Sequence, residues 1–156
     1  MIFDGAVTIC HRKDLWYFRP MWTARAGFYV GGEPLYVVSD GSTAHDRASA
    51  LRSALQASRT TVAGIPTREE WKQRLKPQLK AAGVTSWKKF FIKGEVAEFM
   101  VEMLNGGLRF TPNYYSGKDR GYHGVRELAV TLPADASDDE IDATLKKMVS
   151  LFEWRD

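Results

Sequence analysis

The chain has 156 residues, of which 44% are hydrophobic and 12% aromatic, and it carries a net charge of +3 with a pI near 9.0. This length suits one domain, residues 1–156, that buries its own core, and the composition excludes the disordered class. Cys10 is the only cysteine. It is expected to lie buried in a strand, and its solitary occurrence excludes an intrachain disulfide and a multi-cysteine zinc site.

No stretch approaches the ~18 uninterrupted apolar residues of a transmembrane helix. The first residues also lack the basic region and apolar segment of a signal peptide. We therefore expect a cytoplasmic protein with no membrane partner.

The first forty residues predict strands, because short runs of β-branched and aromatic residues alternate with turn residues. These runs are residues 6–10, 15–18, 27–30 and 35–38. The apolar period then changes to that of a helix, which Ser42 or Thr43 caps and which runs to about Ser58.

A second helix is predicted from Thr67, because Glu70 three residues later completes a capping box that satisfies two backbone N–H groups. Pro77 inside this segment predicts a kink or a restart as a second short helix. Gly83 is a natural end for the segment. Residues 86–93 fit either a helical turn or the start of a strand.

The second half of the chain begins with an alternating segment, residues 96–104, that predicts a strand with Glu98 and Glu102 opposite its apolar face. Asn105-Gly106 predicts a type I′ hairpin leading into a partner strand at 107–112. Residues 113–124 are predicted to form a long polar, aromatic loop.

Residues 125–132 are predicted to form a further strand, with Leu128 on its apolar face. A capping box of Ser137 and Glu140 then opens the last helix, whose buried stripe is expected to end at Phe152. Six strands, mostly joined locally, and three main helices predict an α+β fold with an antiparallel or mixed sheet.

The motifs of several enzyme classes are missing from the sequence. There is no G-x-S-x-G nucleophile elbow, no phosphate-binding loop and no H-E-x-x-H, so we expect neither catalysis nor a metal or other cofactor. One enzymatic alternative is a metal-independent ribonuclease in which His11 and His123 act as general base and acid. Lys118 or Arg120 would then bind the phosphate.

Charge is unevenly distributed along the chain. Residues 67–93 carry eight Lys/Arg against two Glu, and residues 133–156 carry three Lys/Arg against seven acids. The basic segment fits either ordinary solvated helix faces or a nucleic-acid-binding module, although such modules usually have a stronger basic surface. Nucleic acid is therefore not the expected partner.

The segment 113–124 is the best candidate for a binding site, because tyrosine and arginine are enriched at protein-binding hot spots. An ordinary solvated connection is the alternative. The candidate contact residues are Tyr114, Tyr115, Lys118, Arg120, Tyr122 and His123.

A diffuse pattern of helix faces and turn residues extends over most of residues 22–152. Its parts, in order, are Ala54–Arg59, Trp71, Leu79–Trp87, Lys93-Gly94, Pro112 and Ser137–Ile141. In this order and spacing the chain resembles the immunity proteins of bacterial contact-dependent growth inhibition.

The resemblance implies a non-enzymatic protein of the bacterial cytoplasm. Such a protein binds the C-terminal domain of a large surface-displayed toxin, often a nuclease, and neutralises it. One departure from the family concerns charge, since immunity proteins against basic nucleases are often acidic. Either the toxin is acidic, or the local acidic helix at 138–142 binds it, or the assignment fails.

Overall fold

The computed structural model describes residues 3–62, 64–116 and 121–155. The helices are α1 (Ala44–Ala57), α2 (Arg68–Ala82), the four-residue α3 (Trp87–Phe90) and α4 (Asp138–Leu151). The strands are β1 (Phe3–Arg12), β2 (Leu15–Ala24), β3 (Tyr29–Gly31), β4 (Tyr36–Ser39), β5 (Thr61–Val62), β6 (Val96–Leu104), β7 (Gly107–Ser116), β8 (Gly121–Gly124), β9 (Val130–Pro133) and β10 (Glu153–Arg155).

The ten strands of the described residues form one sheet, whose main path runs β10-β7-β6-β1-β2-β3. The long strands β2 and β7 exchange neighbours along their length, since β4 and β5 also pair with β2, and β8 and β9 also pair with β7. Most pairs are antiparallel, whereas β10–β7 and β2–β5 are parallel. The predicted α+β fold with a mixed sheet and three main helices is confirmed.

The main core lies between one face of the sheet and the pair α1 and α4. Val7 and Ile9 of β1 alternate inward beside Phe99 and Val101 of β6, as the two-residue period of a strand requires. Each buried side chain of this size contributes roughly 1.5–3 kcal/mol. The helix residues that face them are at most 3% exposed: Leu51, Leu55, Ile141, Leu145 and Met148.

Local sequence determines where the helices begin. Capping boxes of Thr67 with Glu70 and of Ser137 with Glu140 open α2 and α4 as predicted. Thr43, rather than Ser42, caps α1. The predicted hairpin at Asn105-Gly106 is confirmed, because both residues have positive φ and join β6 directly to β7.

A set of ion pairs fastens α4 to α1. The Arg47 guanidinium donates to both carboxylate oxygens of Asp142, and the Nη2–Oδ2 distance is 3.1 Å. Both residues are buried, at 5% and 6% exposure. Asp138 accepts from Arg52 and contacts His45. Two acids of the 138–142 segment are therefore engaged within the fold.

The predicted restart of the second helix at Pro77 is wrong, because α2 runs unbroken from Arg68 to Ala82. Pro77 is exposed, whereas Leu75 and Gln78 are buried against the sheet side. Their burial keeps the segment helical although proline lacks a backbone N–H.

The predicted long loop at 113–124 is also wrong. β7 continues to Ser116, and β8 returns beside it with Tyr114 opposite His123 and Tyr115 opposite Tyr122. Cross-strand aromatic pairs of this kind stabilise a strand pair. β10, which was not predicted, adds a parallel neighbour to the same end of β7.

Two boundaries near the C-terminal end also differ from expectation. The predicted strand 125–132 begins only at Val130, because Arg126–Leu128 forms a 3-10 turn. Leu128 is 45% exposed instead of facing the core. Phe152 follows the last turn of α4 and packs against Tyr122 and Trp154 instead of ending the helical stripe.

Candidate functional site

The second face of the sheet is only partly covered by helices. Over β1 and β2, Gln78 of α2 accepts a hydrogen bond from Arg19, and Phe90 of α3 packs edge-on against Tyr17 with ring centroids 5.2 Å apart. Beyond this cover, around β6, β7 and β8, the face opens as a groove of ≈ 830 Å³, here called the sheet groove. Its polar lining includes Thr8, Tyr29, Glu98, Glu102, Arg109, Thr111, Asn113, Tyr114, His123 and Arg126.

A partly buried ion pair crosses the floor of the sheet groove. Arg109 of β7 donates to Glu102 of β6 at 2.8 Å, and the Tyr29 hydroxyl donates to the other oxygen of Glu102 at 3.3 Å. Burial, with the nearby Glu102 charge, raises the pKa of Tyr29 to about 12. Tyr29 therefore stays a neutral donor at physiological pH, and the pair presents little net charge to the groove.

Glu98 lies deeper, between the groove and the part of the sheet beneath α2. The Asn113 amide donates to its carboxyl at 3.3 Å, and the Cys10 thiol lies 3.9 Å from the other oxygen. Burial raises the pKa of Glu98 to about 8, and these hydrogen bonds offset the effect only in part. Burial also raises the pKa of Cys10, so this thiol lacks the thiolate character of a catalytic nucleophile.

The β7–β8 hairpin at one end of the sheet groove carries four of the predicted contact residues. Tyr114 stacks on His123 with centroids 5.1 Å apart, and the Arg155 guanidinium lies 3.8 Å from the Tyr114 ring. Because side chains alternate along a strand, Tyr115 and Tyr122 form a second pair on the opposite face, 5.0 Å apart. The two pairs therefore have different surroundings.

Tyr122 is enclosed by other rings. Its ring lies 5.4 Å from Phe91 and 5.9 Å from Phe152, and its hydroxyl is buried without a hydrogen-bond partner among the described residues. Tyr122 also lines the sheet groove, so the same side chain packs the hairpin and borders the candidate site. Lys118 and Arg120, the other two predicted contact residues, lie outside the described residues.

The two histidines of the ribonuclease alternative have separate environments. His11 contacts Asp40 at 3.0 Å and lines a depression with Trp154 and Ala97. His123 lies against Tyr114 and lines the sheet groove. The structure does not bring them to one cavity, as a general base and acid acting on one phosphate would require.

The two charged segments identified in the sequence differ in how much of their charge is paired within the fold. Lys72, Lys76 and Lys80 form one exposed row on α2, and none of them pairs with a carboxylate of residues 3–62, 64–116 or 121–155. On α4, by contrast, Asp138 and Asp142 pair with α1. The α2 row therefore leaves its positive charge open to a partner, whereas two of the four acids of α4 are engaged within the fold.

Two further observations bear on the site. Within the described ranges, no group of three or more His, Cys, Asp or Glu side chains is arranged to hold a metal ion. Across the same residues, no helix has the length and apolar character needed to cross a membrane.

Sequence reasoning missed Tyr29, Arg109 and Asn113 as groove residues. An available signal was the alternation of 96–104, which places Glu98 and Glu102 together on the face away from the core. Acids on one strand favour polar partners on the next, and the register of a two-residue hairpin sets Arg109 opposite Glu102.

No protein-family model and no curated protein sequence matches the chain. Among solved structures, a protein of unknown function from Neisseria meningitidis superposes with a TM-score of 0.77 at 18% identity, over 94% of this chain and 93% of that chain. A chain of the CdiA-CT/CdiI toxin and immunity complex from Yersinia pseudotuberculosis superposes with a TM-score of 0.73 at 14% identity, over 94% of this chain and 95% of that chain. At these identities the similarity shows a shared fold.

Proposed function

We propose that this chain, as a single domain of residues 1–156, is a cytoplasmic bacterial immunity protein. It binds and neutralises the C-terminal toxin domain of a contact-dependent growth inhibition effector. The observation that carries the proposal is the near full-length similarity in fold to a chain of a toxin and immunity complex. The order of helix faces and turns in the sequence supports the same assignment independently.

In the proposed mechanism the protein covers the active site or substrate groove of the toxin by binding to it, without catalysing a reaction. The sheet groove and the adjoining β7–β8 hairpin form a pre-organised surface, because the Glu102–Arg109 pair and the ring contacts of Tyr114 hold their side chains in place. Pre-organised aromatic residues bind at low entropic cost. Tyr114 and His123 are the proposed central contacts, and Lys118 and Arg120, which lie between them in the sequence, are proposed as further contacts.

Tyr115 and Tyr122 are proposed to act within the same site as supports. Their rings join Phe152 and Trp154 in one aromatic cluster, which fixes the hairpin against β10. Substituting them is expected to loosen the hairpin and so weaken toxin binding indirectly.

The charge of the proposed partner follows from the surface. Asp138 and Asp142, two of the four acids of α4, are engaged with α1, whereas the α2 lysines are open, so we expect this protein to attract an acidic face of the toxin. Salt should then slow association more than it speeds dissociation.

A growth-rescue experiment tests the proposal. We expect the gene beside that of this chain to encode a large secreted toxin, and the C-terminal domain of that protein is expressed with wild-type protein, or with a Tyr114→Ala/His123→Ala double variant. Wild type is expected to restore growth, and the double variant to bind at least about thirtyfold more weakly, from roughly 2 kcal/mol lost at a hot spot.

Val37→Ala provides a control, because Val37 is accessible at the surface, at 39% exposure, but lies on β4 away from the groove. It should rescue like wild type. Growth arrest in the presence of wild-type protein would reject the immunity role. Rescue by the double variant at full affinity would move the interface away from the hairpin.

A further inference from the structure

A second cavity lies between the sheet and helices α2 and α3, on the covered part of the same face. Its volume is ≈ 210 Å³, below the ~300–1,000 Å³ usual for pockets of drug-sized ligands. We call it the Arg19 cleft. Its main walls are Tyr17, Arg19, Trp71, Gln78, Trp87 and Glu98.

Arg19 is a buried cation on which the more distant charges of Glu33 and Arg74 act in opposite directions. It is 7% exposed, and its guanidinium donates to the carbonyls of Gly32 and Arg74 and to Oε1 of Gln78, at 3.0, 3.2 and 3.0 Å. All three acceptors are neutral, and no carboxylate of the described residues lies within ion-pair distance. Buried charges in proteins are normally paired, so this arrangement points to an anion supplied from outside.

The other groups of the cleft leave its charge positive at neutral pH. Glu98 is the only carboxyl group among its described walls, and burial raises its pKa to about 8, so most of it is protonated at pH 7. The Cys10 thiol is also neutral because burial raises its pKa. The cleft therefore disfavours a cation and accommodates one negative charge.

The flat apolar walls of the cleft indicate the shape of the uncharged part of the ligand. The Trp71 ring lies 5.8 Å from the Arg19 guanidinium and packs directly over Gly31, where a Cβ atom would come within 2.6 Å of the ring. Trp87 of α3 is 39% exposed and stacks on Phe90, so it borders the cleft on the solvent side. Two indole rings beside a guanidinium suit a planar body that carries a carboxylate.

We propose that the Arg19 cleft binds a small aromatic carboxylate, with the carboxylate on Arg19 and the ring between Trp71 and Trp87. This site goes beyond the proposed toxin binding and does not depend on it. Occupancy would complete the charge pairing of Arg19 and brace α2 and α3 against the sheet.

Titration of the full chain with benzoate tests this site, with benzamide as the uncharged ligand of matched shape. Benzoate should bind with a Kd of about 1 mM or tighter and shift the indole N–H resonances of Trp71 and Trp87, leaving that of Trp154 in place. Benzamide should bind at least about tenfold more weakly, because it brings no charge to Arg19.

Protein variants separate the cleft from non-specific anion binding. Arg19→Gln should weaken benzoate at least about thirtyfold, as expected on removing one partner of a buried charge pair. Arg25→Gln, the same change at an exposed arginine, should leave the affinity unchanged. Equal affinity for benzoate and benzamide, or no shift at Trp71 and Trp87, would overturn the proposal.

A pH series keeps the test decisive if Arg19→Gln fails to fold. Raising the pH from about 7 to about 9 ionises Glu98 and so places a negative charge beside the ligand. The groups that face Glu98 are Cys10 on β1, Arg19 on β2, Asn113 on β7 and Tyr122 on β8, and burial raises the pKa of both Cys10 and Tyr122. Benzoate affinity should fall over this range in wild type and stay constant in Glu98→Gln, whereas the same fall in both proteins would contradict the site.

Discussion

Replacing Asp142 with asparagine is expected to destabilise the protein by about 3–5 kcal/mol, because it leaves the Arg47 cation buried without its counter-ion. The side chain keeps its shape, so packing between α1 and α4 changes little. Arg47 would retain the carbonyls of Asp40 and Ser42 as acceptors, at 3.2 and 2.8 Å. Those carbonyls are neutral and do not replace a carboxylate.

The change should be plain in thermal and urea unfolding. For a chain of this size, 1 kcal/mol corresponds to about 2–4 °C in Tm, so the variant should melt about 6–20 °C below wild type. Asp139→Asn is the control, because Asp139 is exposed in the first turn of the same helix. It should shift stability by no more than about 1 kcal/mol.

Removing both partners of the pair should restore much of the loss. An Arg47→Met/Asp142→Leu variant carries no unpaired charge, and such replacements of buried pairs are often neutral or stabilising. An Asp142→Asn protein that unfolds at the wild-type midpoint would show that Arg47 does not need the Asp142 carboxylate as its counter-ion. In that case the ion pair does not hold α4 to α1.

The same pair predicts a pH dependence of stability. The hydrogen bonds from Arg47 hold the pKa of Asp142 below its ordinary value. The folded state therefore binds this proton less readily than the unfolded chain, and the stabilisation is present above about pH 4 and lost as the pH falls through the folded-state pKa. Asp142→Asn should flatten this acid limb of the stability curve, which a urea series at several pH values would record.

Three further changes can be checked by equilibrium unfolding. Pro77→Ala should stabilise the protein by about 1–3 kcal/mol, because an exposed alanine supplies the N–H that proline lacks within α2; an unchanged or lower urea midpoint would contradict this. Ser58→Ala should cost about 1–3 kcal/mol, because the buried Ser58 hydroxyl accepts from the Ala6 N–H at 3.0 Å and donates to the Leu55 carbonyl at 2.6 Å; a wild-type midpoint would show that these groups find other partners. Glu98 binds its proton more tightly in the folded state, with a pKa of about 8, so stability should decline from about pH 4.5 to about pH 8. Glu98→Gln should remove that decline, and an identical pH profile in both proteins would argue against a buried, protonated Glu98.

Local signals in the sequence predicted the elements that depend on neighbouring residues. The capping boxes at Thr67 and Ser137 lie within one turn of the helices they open, and Asn105-Gly106 closes its hairpin without help from the rest of the chain. The alternation of 96–104 likewise identified a strand and its two faces. Each of these features is determined by residues fewer than ten positions apart.

Features that depend on distant residues could not be obtained in this way. The extension of β7 to Ser116 depends on β10, which comes almost forty residues later, and on the cluster that Tyr115 forms with Trp154. Helix α2 passes Pro77 because Gln78 is buried against Arg19 of β2, fifty-nine positions away. No residue near Ser116 or Pro77 in the sequence indicates that β10 and Arg19 are the distant partners.

The candidate site also combines a feature that neighbouring residues indicate with features that depend on distant residues. Composition singled out the aromatic segment that contains Tyr114 and His123, but as a loop and not as the strand pair of β7 and β8. The sheet groove and the Arg19 cleft exist only because α2 and α3 cover part of one sheet face, which is a property of the assembled layers. The separation of His11 from His123 was likewise decided by the sheet.

The most direct test of the immunity role is co-purification with the C-terminal domain of the large secreted protein that we expect to be encoded beside this chain, followed by measurement of the Kd of the complex. We expect a one-to-one complex of nanomolar affinity or tighter, on the order of that of other pre-organised inhibitors. The affinity should be weakened by Tyr114→Ala/His123→Ala and retained by Val37→Ala. If the two folded proteins form no complex at micromolar concentrations, the chain is not an immunity protein for this toxin domain.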